Sequence, residues 1–223
     1  MPDQFETLSE ILNSRYSCRG YLDKQVPDAD IEEVVAMASR VPTWCNAQPW
    51  KVLVTKGEST LAFSKTLLNA ANSGPMEPDF EWPTQYSGDY QDRRRVCGFQ
   101  LYDALGIKRE DRERRAEQMM KNYHFFGAPH VAIITTDAEL GPYGAMDCGG
   151  FIAAFTLVAR AKSIASVVQA SVTGFAPAIR NHFNIPESRL IQTAISFGYE
   201  DPSHPANNFR TERAMLDDVV TIV

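Results

Sequence analysis

Four short apolar runs, residues 50–55, 131–136, 163–168 and 190–197, stand among much longer segments with helical spacing, and this arrangement restricts the fold more than any other feature of the chain. The run Val131-Ala132-Ile133-Ile134-Thr135-Thr136 is β-branched except at Ala132, bounded by Pro129 and unbroken by alternation, as in a strand buried on both faces. An N-terminal helix carries Phe5, Leu8, Ile11 and Leu12 on one side. A second starts at Val26-Pro27-Asp28, with Asp28 as N-cap and Ile31, Val34, Val35 and Ala38 facing inward, and ends near Arg40, before Pro42. The same spacing predicts helices over 58–72, 93–105, 109–122, 143–162 and 173–183. Strands and long helices follow one another in no regular βαβ alternation, so the fold class is α+β.

Residues 73–90 break every period: Pro75, Pro78, Phe80, Trp82, Pro83, Tyr86 and Tyr90 are too apolar for a free linker and too irregular for one element. The segment is expected to lie over another surface and to border the functional site. With no linker-like stretch elsewhere, residues 1–223 read as one domain, long enough to bury a full core.

The net charge of −6 argues against a general nucleic-acid binder, so any anionic ligand must meet a local cationic pocket. Cys18, Cys45, Cys97 and Cys148 are scattered without a Cys-x-x-Cys pair, and the four histidines share no helix face, which leaves no metal site and points to a reducing, cytoplasmic compartment. No apolar run is expected to approach the ~18 residues of a membrane span, and the start Met-Pro-Asp-Gln-Phe-Glu is acidic rather than a basic leader. Gly144 and Gly149 imitate the outer glycines of a phosphate loop, but Phe151 and Ile152 follow where lysine and a hydroxyl belong.

Two stretches carry chemistry. Arg15-Tyr16-Ser17-Cys18-Arg19 gathers two guanidinium groups and a hydroxyl within five residues, a donor density suited to phosphate. Pro42-Thr43-Trp44-Cys45-Asn46-Ala47-Gln48-Pro49-Trp50 offers amides, a hydroxyl and aromatic faces to a flat ring. Taken singly, the first also describes a solvated helix end and the second a packed corner. The direct entry of the loop into the strand at 50–55 favours a ligand, because a strand holds loop residues in place.

These stretches, in this order and with the tail Gly198-Tyr199 through Arg210 and Arg213, resemble the FMN-dependent nitroreductase family over nearly the whole chain. Trp44-Cys45-Asn46 and the run 122–129 are most similar to its nitrobenzoate-reductase-like branch. The resemblance implies a mainly antiparallel mixed sheet flanked by helices, in an intertwined homodimer whose C-terminal tail reaches the partner. It implies FMN as cofactor and NADH or NADPH as reductant, with small nitroaromatic, quinone or other electron-poor molecules reduced in two-electron steps. No side-chain acid is then required, since the chemistry runs on flavin N5. The implied cofactor-binding residues are Arg15, Tyr16, Ser17 and Arg19, with Arg210, Thr211 and Arg213 closing the phosphate site. Pro42, Thr43, Trp44 and Asn46 would reach the flavin from the neighbouring subunit. Gln169, Ala170 and Ser171 would present backbone donors where a strand ends and a helix begins. A flavin-dependent dehalogenase or flavin-degrading relative, and a non-catalytic dimeric interaction protein, are the alternatives. Phe99, Tyr102, Phe125 and Phe126 are open between pocket lining and core.

Overall fold

In the computed structural model, which describes residues 3–223, a four-stranded sheet divides the core into two layers. Its strands are β1 (Lys51–Lys56), β2 (His130–Asp137), β3 (Ala165–Gln169) and β4 (Arg189–Gly198), in the order β1-β2-β4-β3. Every strand pair is antiparallel; the parallel component expected of a mixed sheet is confined to a single bridge, Ser17 to Ser166.

The unbroken apolar strands are explained by burial on both faces. Ala132 and Ile134 of β2 point into one layer with Ile195 and Phe197 of β4. Val131 and Ile133 point into the other with Ile191 and Ala194. The first layer is covered by α2 (Asp28–Ala38), through Ile31, Val34 and Ala38, and by α6 (Gly141–Ala161), through Cys148, Phe151, Phe155 and Ala159. The second is covered by α3 (Glu58–Ser73), through Phe63 and Leu67, and by α8 (Ala176–Phe183), through Ile179. Each fully buried phenylalanine in these layers contributes about 1.5–3 kcal/mol of transfer free energy.

Several sequence expectations are corrected. Asp28 is the first helical residue rather than the N-cap: Pro27 holds that position, and the Asp28 carboxylate pairs with Lys56 Nζ at 2.6 Å. The helix expected over 173–183 starts later, as α8 at Ala176, and a separate single turn, α7 (Ala170–Thr173), precedes it, parted from it at Gly174-Phe175. The irregular segment stops at Ser87, and Tyr90 already belongs to α4 (Gly88–Ala104), with α5 (Arg112–Met120) following. An apolar stretch of spanning length does exist, contrary to expectation. Ala138–Ala161 is long and apolar enough to cross a membrane by length and composition, and its inner stripe forms part of the core. Met1 and Pro2, in the acidic start of the chain, lie outside the described residues.

The segment between α3 and α4 is tied down by one carboxylate. Asp79 Oδ2 accepts from Arg180 Nη2 at 2.5 Å and from the Ile191 amide at 2.6 Å, while the Glu77 amide donates to Gly174 O at 2.7 Å. Residues 74–87 therefore lie beside the end of α7, with Met76 and Trp82 against Gly174.

Candidate functional site: an arginine-lined cavity closed by the tail

The helix α1 (Gln4–Ser14) starts on an Asp3 N-cap that accepts from Phe5 N, and Arg15 leaves it in an extended conformation. The chain then runs strand-like past the open edge of β3. Ser17 bridges Ser166, Cys18 N donates to Ser166 O at 3.1 Å, and Tyr21 bridges Glu200. Side chains alternate in such a segment. Cys18 and Gly20 are buried, and Arg15, Ser17 and Arg19 share the opposite side, so the Arg-x-Ser-x-Arg spacing delivers three donors to one place.

The C-terminal tail folds back onto this segment. Asn207, buried, donates its side-chain amide to Gly20 O and Asp201 O, both at 2.9 Å, and accepts from the Arg19 amide at 2.9 Å. His204 packs against Gly20 so closely that a Cβ there would lie 2.2 Å from the imidazole Cγ. This clamp brings Phe209, Arg210, Thr211 and Arg213 over Arg15, Tyr16, Ser17 and Arg19, with Leu12, Asn13 and Cys97 completing a cavity of about 250 Å³.

The electrostatics of the cavity are one-sided. Four arginines line it and, among the described residues, no carboxylate does; none of the four belongs to an ion pair. Burial lowers the Arg15 pKa and the neighbouring Arg213 charge lowers it further, while Arg19 is lowered by burial. Positive charge assembled at a desolvation cost and against mutual repulsion calls for an anion. Phosphate fits this donor set: it is a dianion, and several guanidinium groups converge on it together with the Ser17 hydroxyl.

Of the residues expected to bind cofactor, Arg15, Tyr16, Ser17, Arg19, Arg210, Thr211 and Arg213 are thus together in one protomer. Pro42, Thr43, Trp44 and Asn46 are not among the residues lining this cavity. Their loop is pinned to α6, where the Trp44 amide donates to both Asp147 carboxylate oxygens and the indole packs on Tyr143 with centroids 4.9 Å apart. Trp44 is left 61% exposed. Gln169 is buried at the end of β3, where its amide donates to Asn122 O at 2.9 Å and its carbonyl accepts from Ser196 Oγ. Ala170 is exposed at the start of α7, and the Ser171 hydroxyl is buried without a partner among the described residues. Phe125 and Phe126 belong to the buried interior; the Arg19 guanidinium lies 5.8 Å from the Phe126 centroid. Asn207, Gly20, His204 and Glu200, which hold the two arms together, were not foreseen, and nothing in their spacing marks them.

The family model for the nitroreductase family matches residues 12–199. The chain belongs to the nitroreductase family. A 4-nitrobenzoate reductase of Nocardioides sp. (strain LMS-CY) is 33% identical over 223 aligned residues, covering 98% of this chain and 90% of that protein. A 4-nitrobenzoate reductase of Pseudomonas putida is 29% identical, over 96% of this chain and 93% of its own length. Among solved structures, the FMN-dependent nitroreductase NfnB of Mycobacterium smegmatis, in complex with NADPH, superposes with a TM-score of 0.95 at 28% identity, over 99% of this chain and 100% of that one. The nitroreductase-family span stops short of Arg210 and Arg213, so the tail half of the arginine cavity lies beyond the matched residues.

Proposed function

We propose that this chain is an FMN-dependent NAD(P)H oxidoreductase that reduces nitroaromatic substrates in two-electron steps. The observation that carries the reading is the cavity in which arginines from both ends of the polypeptide meet with no acidic partner, in a chain whose fold coincides with that of an FMN-dependent nitroreductase. Arg15, Ser17, Arg210, Thr211 and Arg213 hold the phosphate, and Arg19, steadied by Phe126, reaches the ribityl chain or the pyrimidine edge. When bound, FMN supplies the redox chemistry, accepting a hydride from NADPH or NADH and delivering it to the acceptor. The protein's own work is binding, orientation and exclusion of water. Gln169, fixed from both sides by Asn122 and Ser196, sets the backbone of Ala170 and Ser171 as hydrogen-bond donors to the ring. A cation near the ring, Arg19, favours its reduced and more negative form.

The reading includes a homodimer. The apolar side chains that α1 leaves in water (Phe5, Leu8, Leu12) and those of the tail (Met215, Leu216, Val219, Ile222) form more uncovered apolar surface than one protomer explains. The exposed loop with Pro42, Thr43, Trp44 and Asn46 then serves the partner's flavin. Residues 1–223 act as one domain, and the segment 74–87, held to α8 and β4 by Asp79 and to the end of α7 by the Glu77 amide, borders the substrate side of the ring. The four free cysteines suit a reducing, cytoplasmic setting.

The test is anaerobic absorption spectroscopy on protein reconstituted with FMN. NADPH is expected to bleach the visible flavin band, and 4-nitrobenzoate to restore it. A protein that takes up no FMN, or whose flavin is reoxidised by oxygen and halogenated phenols but by no nitroarene, refutes the assignment.

A further inference from the structure

The Arg210 guanidinium lies 3.6 Å above the centroid of the Tyr16 ring, the closest cation–ring contact among the described residues. Among the described residues only its Nη1 makes hydrogen bonds, donating to the carbonyls of Asn207 and Phe209, both at 2.8 Å. The ring beneath is itself tied: Tyr16 donates its hydroxyl proton to Glu200 Oε2 at 2.6 Å. That same oxygen accepts from Arg160 Nη1 at 3.4 Å, and Arg160 Nε donates to Ser14 Oγ at 3.1 Å. The Glu200 backbone is set just past β4 by its bridge to Tyr21. Glu200, Arg160 and Ser14 are not among the residues lining the arginine cavity, whereas Tyr16 and Arg210 are.

An exposed arginine surrenders much rotamer freedom when it grips an anion. A ring already stacked beneath the guanidinium imposes that order in the free protein, leaving less to lose on binding. Burial, and after it the bond to Glu200, raise the Tyr16 pKa, so the phenol stays neutral and keeps donating. A phenol that donates to a carboxylate gains ring electron density, which strengthens its hold on a cation.

We propose that Glu200 and Tyr16 form a positioning relay for Arg210: the carboxylate fixes the ring, and the ring presets the guanidinium for the phosphate. Tyr16 is then a positioning residue and not a cofactor ligand. The inference rests on the FMN reading above.

Its test measures flavin binding and not turnover. FMN and riboflavin, which lacks the phosphate, are titrated by fluorescence quenching into wild type, Tyr16→Leu, Tyr16→Phe, Glu200→Gln, Arg210→Ala and Arg210→Ala/Tyr16→Leu. Tyr16→Leu is expected to raise the Kd for FMN about tenfold. Tyr16→Phe and Glu200→Gln, which loosen the ring without removing it, each raise it about two- to threefold. Riboflavin binding stays at the wild-type level throughout, and with Arg210 absent the loss of Tyr16 adds less than about twofold. The relay is overturned if Tyr16→Leu weakens riboflavin as much as FMN, if its effect is the same with and without Arg210, or if the relay variants bind FMN as wild type does. Should Tyr16→Leu not fold, Tyr16→Phe and Glu200→Gln, each also combined with Arg210→Ala, make the same comparison. A wild type that binds neither flavin sinks the FMN reading, and the relay with it; a wild type that binds FMN while the variants behave otherwise than stated sinks the relay alone.

Discussion

Arg213→Ala is expected to weaken FMN binding without destabilising the free protein. Arg213 and Arg15 share the cavity, and the Arg213 charge is the second cause, after burial, of the lowered Arg15 pKa. The Arg213 Nη1 group makes only local bonds, to Thr211 and to Glu212 O, so its removal leaves no distant partner stranded. A charge-assisted hydrogen bond contributes about 1.5–3 kcal/mol. Arg213 is exposed, and competition from water pulls its share toward the lower end, about 1.5–2 kcal/mol. That is a roughly 10- to 30-fold rise in Kd. Relief of a solvent-screened repulsion returns at most about 0.5 kcal/mol to the free protein, one or two degrees in Tm at about this chain length. Titration calorimetry with FMN gives the first number and a thermal melt of the flavin-free protein the second. Repeating the titration at high salt should shrink the gap between variant and wild type, because screening weakens the lost contact. An affinity within about twofold of wild type, or a flavin-free melt lowered by several degrees, would show that Arg213 is part of the scaffold rather than of an anion grip.

Three further outcomes follow from the geometry. Asp79→Ala leaves Arg180, whose side chain is 8% exposed, with only the exposed Glu187 carboxylate at 3.6 Å and Arg189 O, and frees the Ile191 amide; it should cost about 3 kcal/mol, lowering Tm by roughly 6–12 °C, and a shift under about 2 °C would refute the anchoring role. Gly20→Ala drives a methyl group into His204 and should cost about 1–3 kcal/mol while weakening FMN binding and opening the chain after Gly198 to limited proteolysis; a variant that melts and binds as wild type would remove the clamp from the account. His130 is buried, accepts from Val26 N on Nε2 at 2.9 Å and donates from Nδ1 to Thr55 O, and burial holds its pKa below the ordinary 6.5. The unfolded chain then binds more protons than the native state in the interval between the two pKa values. Stability is therefore full above pH 6.5 and falls as pH drops below it, with His204, lowered mainly by burial, adding the same sign. Urea midpoints from about pH 8 down to 5 should decline, less steeply in His130→Gln; a flat wild-type profile would refute the linkage.

The sheet was legible in the sequence because both of its faces are buried. Val131 through Thr136 must be apolar or small whichever way they point, so the run announces a strand without alternation. The helices were legible where one face is wet, as in α2 and α3, and blurred where packing overrides period, as at Gly174, where Met76 and Trp82 press on the turn that splits α7 from α8. The one mistaken cap, Asp28, arose from a carboxylate at the right place with a better partner, Lys56, across the gap to β1. In the site, the Arg15, Ser17, Arg19 spacing was readable because period-2 alternation converts it directly into shared orientation. The clamp was not. Asn207, Gly20 and His204 act through contacts between segments some 185 residues apart, and no local pattern encodes a contact of that range. Glu200 was hidden for the same reason, since its partner Tyr16 lies 184 residues away.

The central claim is that arginines from the two ends of the polypeptide converge on one phosphate. A crystal structure of the FMN-loaded protein tests it most directly. The account predicts phosphate oxygens within hydrogen-bonding distance of both Arg15 and Arg213, with the ring system bordered by the Trp44 loop of the second subunit. A flavin phosphate bound away from these two side chains, with the arginine cavity filled by water, would contradict it.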